Sequence, residues 1–243
     1  MKRLRLGCIR VRWGSPWFGH VVGAAMPVVD RWLILFDPDT PVSVQLEVRR
    51  IMADLCAIRT AYQFSPPWRS NPRSLQAMLE AAEGFADGLG LKLDALIYPD
   101  EDEILPIDLA DEMVGCWREG AQHILFPYLL TWDDIEHVRP VYDYMWAPHC
   151  KVLRWKRGMK FIPGYAGYCR PTDAYQGNSR RSQRPLRHTP FTTQTLRERR
   201  DRERARLRPW IYDEVGPPLA FDPAMTWAEY LKLSGERRKV AVH

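Results

Sequence analysis

The chain has 243 residues, 46% of them hydrophobic, and a net charge of +5, which fits one or two globular domains and excludes a disordered or collagen-like polymer. Five widely spaced cysteines without a CxxC pair exclude a disulfide framework and a zinc ribbon, and no apolar run approaches the roughly 18 residues that a membrane span needs. The charge is sorted by position: residues 1–150 hold 14 Lys and Arg against 21 Asp and Glu, whereas residues 151–208 hold 17 against 4.

Leu4, Leu6, Ile9, Val11 and Trp13 alternate with Arg3, Arg5, Arg10 and Arg12, slipping phase at Gly7-Cys8. That predicts a strand with a bulge and one basic face. Arg10 and Arg12 interrupt any signal-peptide core, so the expected location is the cytoplasm. Gly14 to His20 reads as a loop, and Val28 to Phe36 as a second strand ending at Asp37-Pro38-Asp39-Thr40-Pro41. Thr40 and Pro41 suit the start of a helix, whose stripe of Val44, Val48, Ile51, Met52, Leu55 and Ile58 runs to about Tyr62.

Asn71-Pro72 opens another helix, with Leu75, Met78, Leu79, Ala82 and Phe85 on one face and Gly88 and Gly90 as its stop. Leu91 to Ile97 alternates as a strand, and Asp100-Glu101-Asp102-Glu103 is a loop before a helix from about Pro106 to Glu119. His123 to Leu130 reads as a strand, and Thr131-Trp132-Asp133-Asp134 as the start of a further helix. Strands alternating with helices predict an α/β or α+β fold, a mixed sheet with packed helices, over an acidic body of residues 1–150.

Residues 151–208 are expected to form a basic, partly irregular extension. Val152 to Ile162 reads as a hairpin turning at Arg157-Gly158, Pro163 to Thr193 as a segment without periodicity, and Thr195 to Arg208 as an Arg-rich helix. Residues 209–243 read as a docking tail, with Thr226-Trp227-Ala228-Glu229 as a capping box.

Arginines interleaved with aromatics supply phosphate pairing and base stacking. The reading that follows is a non-catalytic nucleic-acid-binding subunit of a ribonucleoprotein or mobile-element complex. RNA or single strands are its ligand, further protein subunits its partners, and no cofactor is implied. The expected contacts are Lys151, Arg154, Trp155, Lys156, Arg157, Lys160, Arg180, Arg181, Arg184, Arg187, Arg199, Arg200 and Arg204. A structural protein of a virion or conjugation assembly, its tail wrapped on a neighbour, is one alternative.

The other alternative is a divalent-metal nuclease or phosphatase. Asp37-x-Asp39 follows a strand and resembles the first motif of the haloacid-dehalogenase phosphatases, although Thr40 stands one place early and Pro41 occupies the threonine position. That resemblance implies catalysis by Asp37 and Asp39, with the pair Asp133-Asp134 as a later metal-binding motif. His20 is a candidate general base for cleaving RNA.

Overall fold

A strand buried on both faces reads as one unbroken apolar run, and Arg31–Phe36 is such a strand. Trp32 to Phe36 are each at most 2% exposed. In the computed structural model, which describes residues 2–56, 60–66, 71–131, 134–140, 149–156, 158–163, 169–171, 179–189 and 219–233, this strand (β2) runs parallel to β1 (Arg3–Val11). Leu4, Leu6 and Cys8 of β1 pack on one side of the sheet, Ile9 and Val11 on the other. The expected basic face is therefore absent: Arg5 pairs with Asp30 and Arg10 with Asp100.

The register slip falls between Leu4 and Arg5, opposite β4 (Lys92–Ile97), rather than at Gly7-Cys8. Gly7 is instead a packing requirement. A Cβ there would lie 2.5 Å from ring carbons of Trp32. Gly7→Ala is expected to cost roughly 1–3 kcal/mol through overpacking, read as a lower urea midpoint. An unchanged midpoint would show that the indole yields freely.

Local chemistry explains the helices. Phe18, Val21, Val22 and Ala25 recur at helical spacing and are buried, making α1 (Phe18–Ala25) where a loop through His20 was expected. α2 (Val42–Cys56) ends earlier than its stripe suggested, because Thr60–Phe64 leaves it as β3, parallel to β2. α3 (Asn71–Gly88) buries Leu75, Met78, Leu79, Ala82 and Ala86, and the chain turns at Gly90 with φ of +63°. β5 (Glu103–Ile104) precedes α4 (Leu109–Arg118), whose Asp111 and Glu112 near its start and Arg118 near its end complement its dipole.

α1, α2 and α4 cover one face of the sheet and α3 the other. The fold class is accordingly mixed α/β, with helices packed on a mixed sheet. No described helix is long and apolar enough to cross a membrane.

The expected strand from His123 to Leu130 divides at Pro127, which has no N–H to donate. β6 (His123–Phe126) joins the first sheet and β7 (Tyr128–Thr131) a second. The helix expected after Thr131 is replaced by a turn, in which Asp134 accepts the N–H groups of Glu136 and His137, followed by β8 (His137–Pro140).

The basic hairpin is also corrected. β9 (His149–Arg154) lies between β4 and β6, antiparallel to both, while β10 (Phe161–Pro163) pairs with β11 (Cys169–Pro171). The division drawn at residue 150 falls inside β9. The stretch read as unordered contains β11, β12 (Ser179–Arg181) and β13 (Leu186–His188).

The first sheet has the order β12-β6-β9-β4-β1-β2-β3, with β9 alone reversed. The second has the order β14-β8-β7-β13-β5, where β14 is Leu219–Ala220. Thr226 and Glu229 exchange hydrogen bonds as a capping box for the helical residues 227–233, and Trp227 and Tyr230 pack on Leu129, Val138 and Leu219. The Arg-rich stretch from Thr195 to Arg208 lies outside the described residues.

Candidate functional site

The chain steps outward from β1 through β2 to β3 and then returns across β1 to β4. The loops leaving the carboxyl ends of β1 and β4 lie side by side at this reversal, the place where open α/β sheets bind ligands. Three segments meet there: residues 12–17 after β1, Asp37–Thr40 after β2, and Tyr98–Asp102 after β4.

The turn after β2 closes on the end of β1. Val11 O accepts the N–H of Asp37 and the hydroxyl of Thr40, each at 2.9 Å. Asp37 Oδ1 accepts the N–H of Asp39 at 2.9 Å, and Asp37 is 1% exposed. This is a carboxylate folded into its own turn. Asp39, by contrast, is exposed. Asp134 serves the turn before β8, and Asp133 lies outside the described residues.

The acidic run after β4 is the centre of the site. Asp100 accepts Arg10 at 2.7 Å and Lys151 at 2.9 Å, and Lys151 lies 2.6 Å from Glu103. The Lys151 and Glu103 side chains are 6% and 2% exposed. Burial opposes charge on Asp100, but Lys151 and Arg10 overcome it and hold the carboxyl well below its ordinary range. Burial wins at Glu103, whose carboxyl is raised despite Lys151. Lys151 is itself raised, because Asp100 and Glu103 outweigh its desolvation. Asp102 meets His188 at 3.3 Å, and Thr189 donates both its N–H and its hydroxyl to Asp102 O.

Glu101 points the other way, into the loop after β1. Its carboxylate accepts the N–H of Trp13 at 3.0 Å, of Gly14 at 2.9 Å and of Arg12 at 3.4 Å. Burial pushes its carboxyl up to about 7, helped by the charge of Asp102 and resisted by those N–H groups. The Arg12 guanidinium lies 4.4 Å over the Trp13 ring, and Trp13 is 37% exposed. Among the described residues no group of three or more His, Cys, Asp or Glu is placed to hold a metal ion.

Among the described residues, those expected to hold nucleic acid are scattered and mostly engaged. Lys151 is internal to the sheet. Arg154 lies 5.8 Å over Trp117, and Trp155 donates to Glu83 at 2.7 Å. Arg180 pairs with Glu119, and Arg184 with Asp108 and the carbonyl of Pro223. Arg187 donates to Ile135 O at 2.8 Å and lies 4.0 Å over Phe221. Lys156, Lys160 and Arg181 are exposed, whereas Arg157, Arg199, Arg200 and Arg204 lie outside the described residues. His20 is exposed on α1, edge-on to Trp17 at 5.3 Å, at the rim of an apolar cleft of about 530 Å³ that includes Gly23, Ala24, Ile51 and Ile104.

The acids after β4 are visible in the sequence only as a charged loop, and nothing in the sequence joins them to Arg12, Trp13 and Gly14. An acidic run directly after an alternating strand was the one available signal.

No family model matches the chain, and no curated protein matches it. Among solved structures it is similar to S. aureus TarS, residues 1–349, at 9% identity and a TM-score of 0.40, over 63% of this chain and 47% of that one. It is also similar to the 4-diphosphocytidyl-2C-methyl-D-erythritol synthase of Anaerococcus prevotii, at 9% identity and a TM-score of 0.36, over 63% of this chain and 64% of that one. The chain thus spans about half the length of the first and just under two thirds of the second. Among the described residues, the cations assigned to a phosphate backbone are largely engaged by the chain's own carboxylates, carbonyls and rings, and the expectation of a non-catalytic nucleic-acid-binding subunit is corrected on that ground.

Proposed function

We propose that the chain is a nucleotide-dependent transferase of the nucleotide-sugar kind. A nucleoside diphosphate-linked donor would lie against the loops at the carboxyl ends of β1 and β4, and its activated group would pass to an acceptor hydroxyl. The bond from that group to the diphosphate breaks, the diphosphate leaves with the electron pair, and the acceptor oxygen forms the new bond as it loses its proton.

One observation carries this reading: the parallel order β3-β2-β1-β4, with an acidic run and an anion-accepting loop meeting where that order reverses. Sheets of this order bind nucleotides at the carboxyl ends of their strands, beside the reversal. Trp13 offers a ring face for a base, and Arg12 a cation for a phosphate. The buried free thiols Cys8, Cys116 and Cys150 suit a reducing cytoplasm.

The test is a melting series with UDP, CDP, GDP and ADP, with and without Mg²⁺ or Mn²⁺. One base class is expected to raise the melting temperature, because a ligand at a hundred times its Kd adds about 2.7 kcal/mol. The matching nucleotide sugars should then be consumed, with the free diphosphate released. No shift with any diphosphate at millimolar concentration would end the proposal.

A further inference from the structure

We infer that the loop after β1 is a nest for a phosphate group of the donor, and that Glu101 is the chain's own competing anion for that nest. The inference rests on the nucleotide reading above and assigns part of that site.

Three successive backbone N–H groups converge on one carboxylate. Gly14 N lies 2.9 Å from Oε2, Trp13 N 3.0 Å from Oε1, and Arg12 N 3.4 Å from both. Successive N–H groups turned inward by a residue of positive φ make a concavity selective for anionic oxygen. Gly14 supplies that conformation at φ +75°, and a Cβ there would also stand 3.0 Å from Val44 Cγ1. Such donors do not distinguish a carboxylate oxygen from a phosphate oxygen. The nest also lies at the sheet's point of reversal, where a nucleotide's phosphates are expected.

Arg12 adds an independent pointer. Its Nε is buried without a hydrogen-bond partner, while its guanidinium lies over the Trp13 ring. A phosphate seated in the nest would give that nitrogen an acceptor.

Glu101 is built to leave. Its neighbours Asp100 and Glu103 are anchored by Lys151, and Asp100 N donates to Glu103 at 2.8 Å. The turn therefore keeps its shape while the Glu101 side chain swings out. The three N–H bonds do not repay the burial of its charge, since its carboxyl stands at about 7 rather than 4.5. A permanent brace would be stronger as a neutral or better-satisfied group.

The experiment titrates pyrophosphate into the full chain at pH 8 by calorimetry, comparing wild type, Glu101→Ala and Glu101→Gln. An internal competitor lowers apparent affinity by the fraction of time the nest is free, so Glu101→Ala should bind about tenfold more tightly, with Glu101→Gln between. Equal or weaker binding by a folded Glu101→Ala overturns the inference.

Amide NMR of the wild type decides the matter where the variants fail to fold. The Trp13 and Gly14 N–H signals should move as pyrophosphate is added. Nucleotide binding with those two amides unmoved sinks the nest and leaves the transferase reading standing. Pyrophosphate moving them while no nucleotide binds sinks the transferase reading and leaves the nest.

Discussion

Replacing Lys151 with methionine is expected to lower folding stability by about 3–5 kcal/mol at neutral pH, a large share of the stability of an ordinary domain. The ammonium lies 2.9 Å from Asp100 and 2.6 Å from Glu103, and the Lys151 and Glu103 side chains are almost wholly enclosed. Methionine keeps the unbranched shape and removes only the charge. Arg10 still neutralises Asp100, but Glu103 loses its close cation.

The loss should shrink on acidification, because protonating Glu103 removes the uncompensated charge. Adding Glu103→Gln to Lys151→Met should restore much of the stability at neutral pH for the same reason. Urea unfolding at pH 7.5 and pH 5 measures both effects. An equal loss at both pH values would mean that packing, not charge, is what Lys151 supplies. A lysine facing a nucleic-acid backbone would behave differently, with unchanged stability and weakened binding.

Lys151 also shows what the sequence could not disclose. Residues 151–208 carry a large positive excess, but some of its cations find their partners elsewhere in the chain. Arg180 meets Glu119, Arg184 meets Asp108, and Lys151 meets residues about fifty positions earlier. In these three pairs a cation of the basic block meets a carboxylate of the acidic body, and the fold joins what the sequence separates.

Elements specified locally were legible. Asn71–Gly88, Lys92–Ile97 and Leu109–Arg118 carry their periodicity and end signals within their own residues. α1 was hidden because Gly19 and Gly23 dilute its stripe, and β3 because helical spacing continued by chance from Ile58 to Tyr62. The site was legible only in part. The run from Asp100 to Glu103 stood out as charge, but its meeting with Arg12, Trp13 and Gly14 depends on β1 and β4 being neighbours. No residue of either strand encodes that adjacency.

Wild-type stability is expected to fall as the pH rises from about 4.5 to about 7, and Glu101→Gln should remove part of that fall. The Glu101 carboxyl stands at about 7 in the folded chain against an ordinary 4.5, so between those values the folded state holds a proton that the unfolded state has released. Unfolding then liberates protons, and raising the pH favours it. The contribution is complete below 4.5, is lost through about 7, and amounts to about 3 kcal/mol. Glu103 and Glu112 are raised too and act in the same direction, so the informative quantity is the difference between wild type and variant across pH 4.5 to 8. Parallel stability curves would show that Glu101 is not the titrating group. A carboxylate that weakens the fold at neutral pH, yet faces three aligned N–H donors, is better placed to yield to a ligand than to brace a loop. Pyrophosphate should then return most of that lost stability at pH 8, because the arriving anion releases Glu101 to water.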